Sequence, residues 1–375
     1  MHNTESTPSF PRARTRRIHV GSVPVGGGAP VSVQTMANTD TRDVAATVAQ
    51  IRECVELGCD IMRLAVPDAV AAEALRSIRA QVDVPLVADI HFDYRLALAS
   101  IEAGVDAVRI NPGNVGGEDR VQAVVKAAKA RGIPIRIGVN GGSLEADLRE
   151  RFGGPAPEAL VASAMRHVAM LERAGMEDIA ISVKASNVPG TLAAYRLLSE
   201  RTDCPFHLGL TEAGTFLAGT VRSSVAMGIL LAEGIGDTIR VSLTDAPAKE
   251  VRVGQELLRS LALRAPGPCV TSCPTCGRTQ ADVPGTAAAV EAALEAFYRK
   301  HPDAPRPHVA VMGCVVNGLG ESKDADIALV GGKGIFDLYI KGVRISRHAA
   351  GTESVDAVQR TVADWPASGG PKDTE

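Results

Sequence analysis

The chain has 375 residues and a mass of 39.1 kDa, a length typical of two domains or of one large α/β barrel with an added domain. Apolar residues make up 45% of it, which excludes a structureless peptide. Its 43 acidic and 40 basic side chains leave a formal charge of -3, so nothing draws the whole protein to nucleic acid or to an anionic membrane. No apolar run reaches the roughly 18 residues of a membrane helix. We therefore expect neither a nucleic-acid nor a membrane partner.

The N-terminal segment, residues 1–17, carries four arginines with no apolar run behind them. It does not resemble a secretory signal, and we expect a disordered tail. Seven cysteines, an odd number spread over a long chain, argue against a disulfide framework and indicate a reducing compartment. These observations predict a cytoplasmic protein.

Short β-rich runs alternate with helical stretches between residues 18 and 264, and several of the helical stretches end at glycine. Eight such β-then-α units predict a (β/α)8 TIM-type barrel over residues 18–264, since that fold needs about 250 residues. The connection after the fifth strand is the longest, which predicts an elaborated loop above the barrel mouth. The predicted strands are residues 31–36, 60–66, 85–90, 107–111, 134–140, 178–184, 205–210 and 238–244.

After Arg264 the composition changes to proline, glycine and clustered cysteines. An alanine-rich helix over residues 286–300 and three strand-like runs predict a small α/β domain over residues 265–363, followed by a disordered tail over residues 364–375. The turn at residues 331–334 lacks the full phosphate-loop pattern, so we expect a hairpin there.

Charged residues inside the apolar strands show which side of each strand faces the barrel lumen. In residues 135–140 the isoleucines and valine face the helices, so Arg136 and Asn140 face inward, and other strands repeat this phase. Five cations then share the lumen with one clearly phased carboxylate, Asp89. The residues placed inward are Arg63, Asp89, His91, Arg109, Asn111, Arg136, Asn140, Ser182, Lys184, Arg240 and Ser242.

Burying five like charges would cost many kcal/mol without an anionic partner, so the lumen predicts a multiply charged anion such as a small diphosphate. Arginine forks suit phosphate oxygens, and sites of this fold lie at the carboxyl ends of the strands. Lys184 also admits a Schiff-base role, as in barrel aldolases, but four nearby arginines favour a phosphate clamp. His91 and His207 have no third metal ligand at fixed spacing, so we interpret them as hydrogen-bonding groups.

The strongest motif is Cys273-Pro-Thr-Cys276, followed by Cys314 and, seven residues later, Glu321. Thiolates at this spacing bind a soft metal or an iron–sulfur cluster. A structural zinc site would usually show a second ligand pair, which is missing here. Three cysteines and one carboxylate would leave one iron of a 4Fe-4S cluster with an exchangeable oxygen ligand, as a substrate-binding iron requires.

Other interpretations of the cysteines stay open. Cys269, Cys273 and Cys276 reproduce the spacing of the radical S-adenosylmethionine signature, although that motif follows the first barrel strand and this one follows the eighth. Cys269 could also be a fourth cluster ligand or a spare thiol. The alternative to a redox enzyme is a diphosphate-binding barrel with a structural zinc domain.

Longer motifs run through both predicted domains, at residues 34–39, 86–92, 109–114, 273–278 and 312–318. Together they resemble the 4-hydroxy-3-methylbut-2-en-1-yl diphosphate synthase family, the iron–sulfur enzymes of the non-mevalonate isoprenoid pathway, over nearly the whole chain. The family's Asn-Gly-Pro-Gly-Glu reads Asn-Gly-Leu-Gly-Glu at residues 317–321, and Leu319 in place of proline is expected to relax the turn that carries Glu321.

The resemblance implies reductive ring opening and dehydroxylation of 2-C-methyl-D-erythritol 2,4-cyclodiphosphate, with two electrons from reduced flavodoxin or ferredoxin. It implies that Asp89 and His91 orient the substrate or supply a proton, and that Glu321 yields to a substrate oxygen. The implied ligands of the 4Fe-4S cluster are Cys273, Cys276, Cys314 and Glu321. The implied substrate-binding residues are Arg63, Arg109, Asn111, Arg136, Asn140, Lys184, Arg240 and Ser242.

The cluster domain follows the last helix of the predicted barrel, which ends on the face opposite the mouth. A short linker would leave the cluster far from the mouth of its own barrel. We therefore expect a head-to-tail homodimer in which the cluster of one chain caps the barrel of the other, as the resemblance also implies.

Overall fold

The computed structural model describes residues 10–185, 187–264 and 267–366, without the side chains of Asn317, Glu321 and Ser322. The chain divides into two compact units, Met1–Arg264 and Ala265–Glu375. Each unit is built around a buried apolar cluster of its own. None of the described helices combines the length and the apolar character needed to cross a membrane.

The first unit begins with a hairpin of two short strands, β1 (Ile18–Val20) and β2 (Val23–Val25). Eight parallel strands follow and form one curved sheet. These are β3 (Ser32–Met36), β4 (Ile61–Ala65), β5 (Leu86–Asp89), β6 (Ala107–Ile110), β7 (Ile135–Asn140), β8 (Ile179–Lys184), β9 (His207–Leu208) and β10 (Thr238–Ile239).

The strand order, β8-β7-β6-β5-β4-β3-β10-β9, brings the two end strands together, and one bridge between Ile181 and Phe206 joins them. The predicted (β/α)8 barrel is therefore confirmed. Its helices are α1 (Val44–Glu56), α2 (Ala69–Arg79), α3 (Tyr94–Ala103), α4 (Pro112–Val115), α5 (Glu118–Arg131), α6 (Ala146–Phe152), α7 (Pro157–Arg173), α8 (Val188–Ser199), α9 (Phe216–Ala232) and α10 (Pro247–Ser260).

Local sequence explains how these elements begin and end. Asp43 and Asp68 accept hydrogen bonds at the starts of α1 and α2, while α3 ends at Gly104 in the left-handed conformation that glycine adopts without strain. The longest connection, between β7 and α7, contains a 3-10 turn (Gly141–Ser143) and α6, as the predicted elaborated loop requires.

Two strands are shorter than the predicted runs 205–210 and 238–244. The Arg240 N–H still donates to the Leu208 carbonyl of β9 (2.9 Å), but farther along the Leu243 N–H donates to the Glu250 carboxylate (2.9 Å) and the Thr244 N–H donates to the Gly214 carbonyl (3.0 Å). The donors of Leu243 and Thr244 are satisfied outside the ladder, so the regular strand stops.

The main core fills the space between the outer face of the strands and the helices. A smaller cluster packs the β1–β2 hairpin, through Ile18, Val20 and Val25, against Ile61 and Val87 near the amino ends of the barrel strands. The hairpin therefore closes one end of the barrel and leaves the carboxyl ends of the strands as the open end.

Residues 10–17 do not belong to a disordered tail, so the predicted tail over residues 1–17 is too long. Arg12 and Thr15 donate hydrogen bonds to Asp237 (3.2 and 3.0 Å), and the Ala13 N–H donates to the Gly234 carbonyl (2.8 Å). Asp237 also accepts from the Phe206 N–H (2.8 Å), so this segment is attached to the barrel sheet. Residues 1–9 lie outside the described part of the chain.

The second unit has a five-stranded sheet whose strands lie in chain order, the first three parallel to one another and the last two each antiparallel to the strand before it. Its elements are β11 (Val270–Ser272), α11 (Val283–Lys300), β12 (Val309–Met312), α12 (Val315–Asp324), β13 (Ile327–Gly332), β14 (Ile335–Ile340), β15 (Val343–Ala349) and α13 (Thr352–Ala363).

The alanine-rich run forms α11, and Gly332 pairs with Ile335 across a two-residue turn, which confirms the predicted hairpin. The predicted tail over residues 364–375 begins too early, because Trp365 is buried in the core of the second unit. Residues 367–375 lie outside the described part of the chain.

Asp237→Ala is expected to lower the melting temperature by about 5 °C. The substitution removes the carboxylate that accepts hydrogen bonds from one buried backbone N–H and from two side chains. Asp203→Ala is the matched control, since Asp203 is exposed and accepts only from Arg16 in the same segment. That control should shift melting by less than about 2 °C. Equal shifts in calorimetry would contradict the anchoring role of Asp237.

Candidate active site

The carboxyl ends of the barrel strands enclose a cavity of about 330 Å³, which we call the cup. Ten of the side chains predicted to face the lumen line it, which supports the strand-phase argument. The residues lining the cup are Met36, Arg63, Asp89, His91, Arg109, Arg136, Gly138, Val139, Asn140, Ser182, Lys184, Thr211, Glu212, Arg240 and Ser242.

Asn111 was predicted to face the lumen, but it is not among the residues lining the cup. It is buried, and its side-chain oxygen accepts a hydrogen bond from the Gly113 N–H (3.1 Å) as the N-cap of α4. The alternation of a strand no longer applies at this position, because the helix begins directly after β6. The Asn111 amide nitrogen has no partner among the described residues.

Sequence reasoning missed Met36, Thr211 and Glu212 in the cup, and it predicted that Val139, which also lines the cup, faces the helices. Met36 has the same phase along β3 as Gln34, so the alternation rule applied to that strand would have found it. Thr211 and Glu212 lie in the loop after β9, where no periodicity exists to detect them. Glu212 is exposed and has a φ of 55°, a conformation that non-glycine residues seldom adopt.

Asp89 is a buried carboxylate between two other predicted residues. Its oxygens lie 3.2 Å from Arg109 Nη1 and 3.3 Å from His91 Nε2. Burial acts to raise the pKa of Asp89, but the charge of Arg63, the hydrogen bond with His91 and the charge of Arg109 outweigh it and lower the pKa below its ordinary value. Asp89 is therefore an anion at neutral pH.

Arg63 is buried beside Met36, with Nε and Nη2 at 3.0 and 2.9 Å from the thioether sulfur. Burial lowers the pKa of Arg63 to about 10, so its guanidinium remains charged at neutral pH. A thioether is a weak acceptor and carries no charge. Met36 therefore positions this guanidinium without neutralising it.

Arg136 is a poorly compensated cation in the cup. One of its terminal nitrogens donates to the side chain of Gln34, while Nε and Nη2 are buried without a partner among the described residues. Burial, followed by the charges of Arg63 and Arg109, lowers the pKa of Arg136 well below its ordinary value. A bound anion would both satisfy these donors and offset the charge.

Lys184 is partly buried at the end of β8, and no carboxylate pairs with it among the described residues. Burial and then the charges of Arg240, Arg63 and Arg136 lower the pKa of Lys184 well below its ordinary value. A lowered pKa also suits a Schiff-base lysine. The surrounding arginines nevertheless make an anion the better-matched ligand at this position.

His207 is fully buried, lies outside the cup lining, and has two ring nitrogens without a partner among the described residues. Burial, followed by the charge of Arg136, lowers the pKa of His207 well below its ordinary value, so the ring is neutral.

Arg240 pairs with a buried carboxylate other than Asp89. Glu250, buried on α10, lies 3.4 Å from Arg240 and also accepts from the Thr35 hydroxyl (2.6 Å). The strand-phase argument missed Glu250, because its side chain reaches the barrel from a helix. The five cations of the cup thus meet two buried carboxylates, Asp89 and Glu250, and the exposed Glu212, which leaves two formal positive charges.

Cys273 and Cys314 lie at the same end of the second sheet. Cys273 directly follows β11 and Cys314 follows β12, its parallel neighbour, and the Gly313 N–H donates to Cys273 Sγ (3.2 Å). The loop that carries Cys276 is tied to the same turn by the Gln280 N–H, which donates to the Gly313 carbonyl (3.0 Å). The structure therefore places the three predicted cysteine ligands on neighbouring loops.

Cys276 is exposed, and the hydrogen bond from the Arg278 backbone lowers the pKa of its thiol, which favours the thiolate that binds metals. Glu321 lies in α12, but its side chain is outside the described residues. In the part of the chain with described side chains, no three His, Cys, Asp or Glu groups are placed to hold a single metal ion.

Cys269 lies apart from the other three cysteines. It precedes β11, whereas Cys273 follows it, so four extended residues separate the two α-carbons by about 13 Å along the strand. Burial and the charge of Asp326 raise the pKa of the Cys269 thiol, opposite to the shift at Cys276. This position argues against Cys269 as a fourth ligand and against a radical S-adenosylmethionine loop.

Two family models match the chain. The GcpE TIM-barrel domain matches residues 15–255, and the GcpE protein C-terminal domain matches residues 269–364. These matches cover the barrel with its cup and the sheet with its three cysteines.

Curated relatives match over nearly their whole length, and each is named 4-hydroxy-3-methylbut-2-en-1-yl diphosphate synthase (flavodoxin). The protein of Acidithiobacillus ferrooxidans is 53% identical, over 94% of both chains. That of Chromohalobacter salexigens is 56% identical, over 90% of this chain and 89% of its own. That of Symbiobacterium thermophilum is 52% identical, over 96% of both chains. The chain belongs to the GcpE family, as its sequence motifs indicated.

Proposed function

We propose that this protein is an iron–sulfur oxidoreductase that converts 2-C-methyl-D-erythritol 2,4-cyclodiphosphate to 4-hydroxy-3-methylbut-2-enyl diphosphate. The reaction consumes two electrons and two protons, opens the ring at a carbon–oxygen bond and releases one water. The relatives' names support flavodoxin rather than ferredoxin as the electron donor. The observation that carries the proposal is the excess of two positive charges in the cup.

The cup residues would contribute to the binding of a cyclic diphosphate in different ways. Among the described residues, no carboxylate lies at hydrogen-bond distance from Arg63, Arg136 or Lys184, so these three are the first candidates for the phosphate oxygens. Arg109 and Arg240 are fixed by Asp89 and Glu250, which sets their orientation. Asn140 and Ser242 add neutral donors at the rim, while Asn111 contributes by shaping the β6–α4 turn.

Asp89 and His91 have different roles in this proposal. Asp89 is held as an anion, so it orients Arg109 and His91 rather than donating a proton. The His91 side chain is exposed at the mouth, where it can pass a proton from solvent to the substrate. Glu212, the exposed carboxylate at the rim, is a second group able to do so.

Cys273, Cys276 and Cys314 would hold the 4Fe-4S cluster, with Glu321 as its exchangeable ligand. When bound, the cluster would supply electrons to the ring and offer one incompletely thiolate-bound iron to a substrate oxygen. The three cysteines fit this role because they occupy neighbouring loops at one end of a sheet. All seven cysteines are free, which supports a reducing compartment, and we place the enzyme in the cytoplasm.

The shared site of a head-to-tail homodimer is also part of the proposal. Arg264, the last residue of the first unit, donates to the Val31 carbonyl (3.3 Å) and pairs with Asp60 (2.6 Å). Both acceptors precede barrel strands, so the chain leaves the barrel at the end opposite the cup. Cys273 follows only nine residues later, which favours pairing the cup with the cluster of another chain.

Arg136→Ala is expected to weaken the binding of inorganic pyrophosphate about 30-fold, because it removes the guanidinium whose buried donors lack partners. Titration calorimetry at fixed ionic strength measures this loss. Arg173→Ala is the control, since Arg173 is exposed on α7 and pairs with Glu118 at the surface. Unchanged pyrophosphate affinity in the Arg136 variant would contradict a phosphate-binding cup.

Protein purified without oxygen is expected to contain about four iron and four sulfide per chain, with broad absorption near 400 nm. Cys314→Ser should lose most of this iron, whereas Cys269→Ser should keep it, because Cys269 lies at the other end of β11. Metal and sulfide analysis of the variants provides the measurement. Colourless protein with one zinc per chain would contradict the redox proposal and favour a diphosphate-binding barrel with a structural zinc domain.

Mixing Cys314→Ser chains with Arg136→Ala chains should restore up to about one quarter of the activity, since half of the random dimers are hybrids with one intact site of two. A mixture of Cys314→Ser with Cys273→Ser is the control and should stay inactive, because both lesions affect the cluster. Absence of recovery despite measured subunit exchange would rule out the shared site.

A further inference from the structure

Gly138 lies inside β7, among the residues that line the cup. It pairs with Ser182 of β8 in the regular ladder, and it is not among the described glycines with a positive φ. Glycine weakens a strand interior, because it has no side chain to pack and loses more backbone entropy on folding than other residues. The conformation of β7 therefore does not require glycine here, and the missing side chain needs another explanation.

The guanidinium of Arg109 fills the space that a side chain at residue 138 would take. A β-carbon placed on Gly138 would lie 2.5 Å from Arg109 Nη2 and 2.7 Å from Cζ, and nearer still to Nε. Non-bonded heavy atoms pack at about 3.5 Å or more. The three nearest atoms all belong to this one guanidinium, so the present position of Arg109 depends on glycine at residue 138.

Contacts on two sides hold this guanidinium over β7. Its Nη2 donates to the Gly138 carbonyl (3.4 Å), and its Nη1 donates to the Asp89 carboxylate (3.2 Å). Asp89 belongs to β5 and Gly138 to β7, the two neighbours of β6, which carries Arg109. The side chain thus follows the barrel wall across three strands instead of extending into the middle of the cup.

We propose that Gly138 is a positioning residue that sets the size of the anion that the cup accepts. Because residue 138 has no side chain, Arg109 lies against β7 and leaves the cavity of about 330 Å³ open to a diphosphate. A methyl group at this position would take the space on the wall, and the guanidinium would turn into the cavity. The cup would then keep all five cations but hold a smaller anion.

Gly209 differs from Gly138, although it also lies beside a cation of the cup. A β-carbon there would lie 3.3 Å from Lys184 Nζ and 2.9 Å from the Arg240 carbonyl oxygen. The close approach of a neighbouring backbone explains that glycine without reference to any ligand. At Gly138 the nearest group is the movable end of a long side chain, so the methyl group of Gly138→Ala is accommodated by moving Arg109 rather than a strand.

The substitution Gly138→Ala changes no charge, so it separates room for the ligand from attraction to it. Pyrophosphate must fit two phosphate groups among cations of different strands, whereas inorganic phosphate needs only a few of these cations. A guanidinium displaced into the cup therefore obstructs pyrophosphate more than phosphate. The inference rests on the proposed function for the expectation that the cup binds a diphosphate.

The test measures the dissociation constants of pyrophosphate and of inorganic phosphate by titration calorimetry of the full chain at fixed ionic strength. Gly138→Ala should weaken pyrophosphate binding about tenfold and phosphate binding less than about twofold. In a double-mutant cycle, Gly138→Ala should cost less than about twofold when Arg109→Ala is already present, because the displaced group is then gone. A merely structural glycine would cost as much in either background.

Gly228→Ala on α9 is the matched control, because a β-carbon there would meet Leu257 at an ordinary contact distance of 3.6 Å and Gly228 is not among the residues lining the cup. It should leave both dissociation constants unchanged, and the melting temperature of each variant verifies its folding. Wild-type protein that binds neither anion would contradict the proposed function, and this inference with it. If the wild type binds pyrophosphate, this inference alone is overturned by loss of folding or unchanged pyrophosphate affinity in Gly138→Ala, by equal losses for both anions, or by additive effects in the double variant.

Discussion

Repulsion among five cations in one small cavity is the constraint on which the first unit depends. Two buried carboxylates offset part of it, and neither reaches Arg136, whose unpaired donors face the same space. The apolar core between strands and helices holds these groups together against the repulsion that remains. This charge excess supports the multiply charged anion that we propose as the ligand of the barrel.

Different residues of the cup fix the orientation of its cations and preserve their charge. Asp89 and Glu250 fix the directions of Arg109 and Arg240 at the cost of partly neutralising them. Met36 and Gln34 hold Arg63 and Arg136 through uncharged acceptors, which preserve the full charge for a ligand. The network thus combines rigid cations with cations that remain free to bind, a form of preorganisation that lowers the entropy lost on binding.

The succession of eight β-then-α units was enough to predict the barrel. Strand alternation was enough to place nine of the ten barrel residues proposed to act in the site, because charged residues in apolar strands have only two possible directions. It failed at Asn111, where a helix begins and the alternation ends. It could not detect Glu212, which lies in a loop, or Glu250, which enters from a helix. In the second unit β11 has only three residues and β15 is largely exposed, so neither carries the apolar pattern of a buried strand. The place of Glu321 in the cluster site stays a prediction.

The barrel is least tightly joined between β8 and β10. The intervening strand β9 has two regular residues, and one bridge links it to β8. Lys184 stands at the end of β8 and Arg240 directly follows β10, so the two cations face each other across this gap in the ladder. A phosphate group bound by both cations would connect β8 to β10 where the barrel has its fewest strand-to-strand hydrogen bonds. Ligand binding at the carboxyl end of the strands would therefore stabilise the closed barrel, and the closed barrel would in turn favour ligand binding.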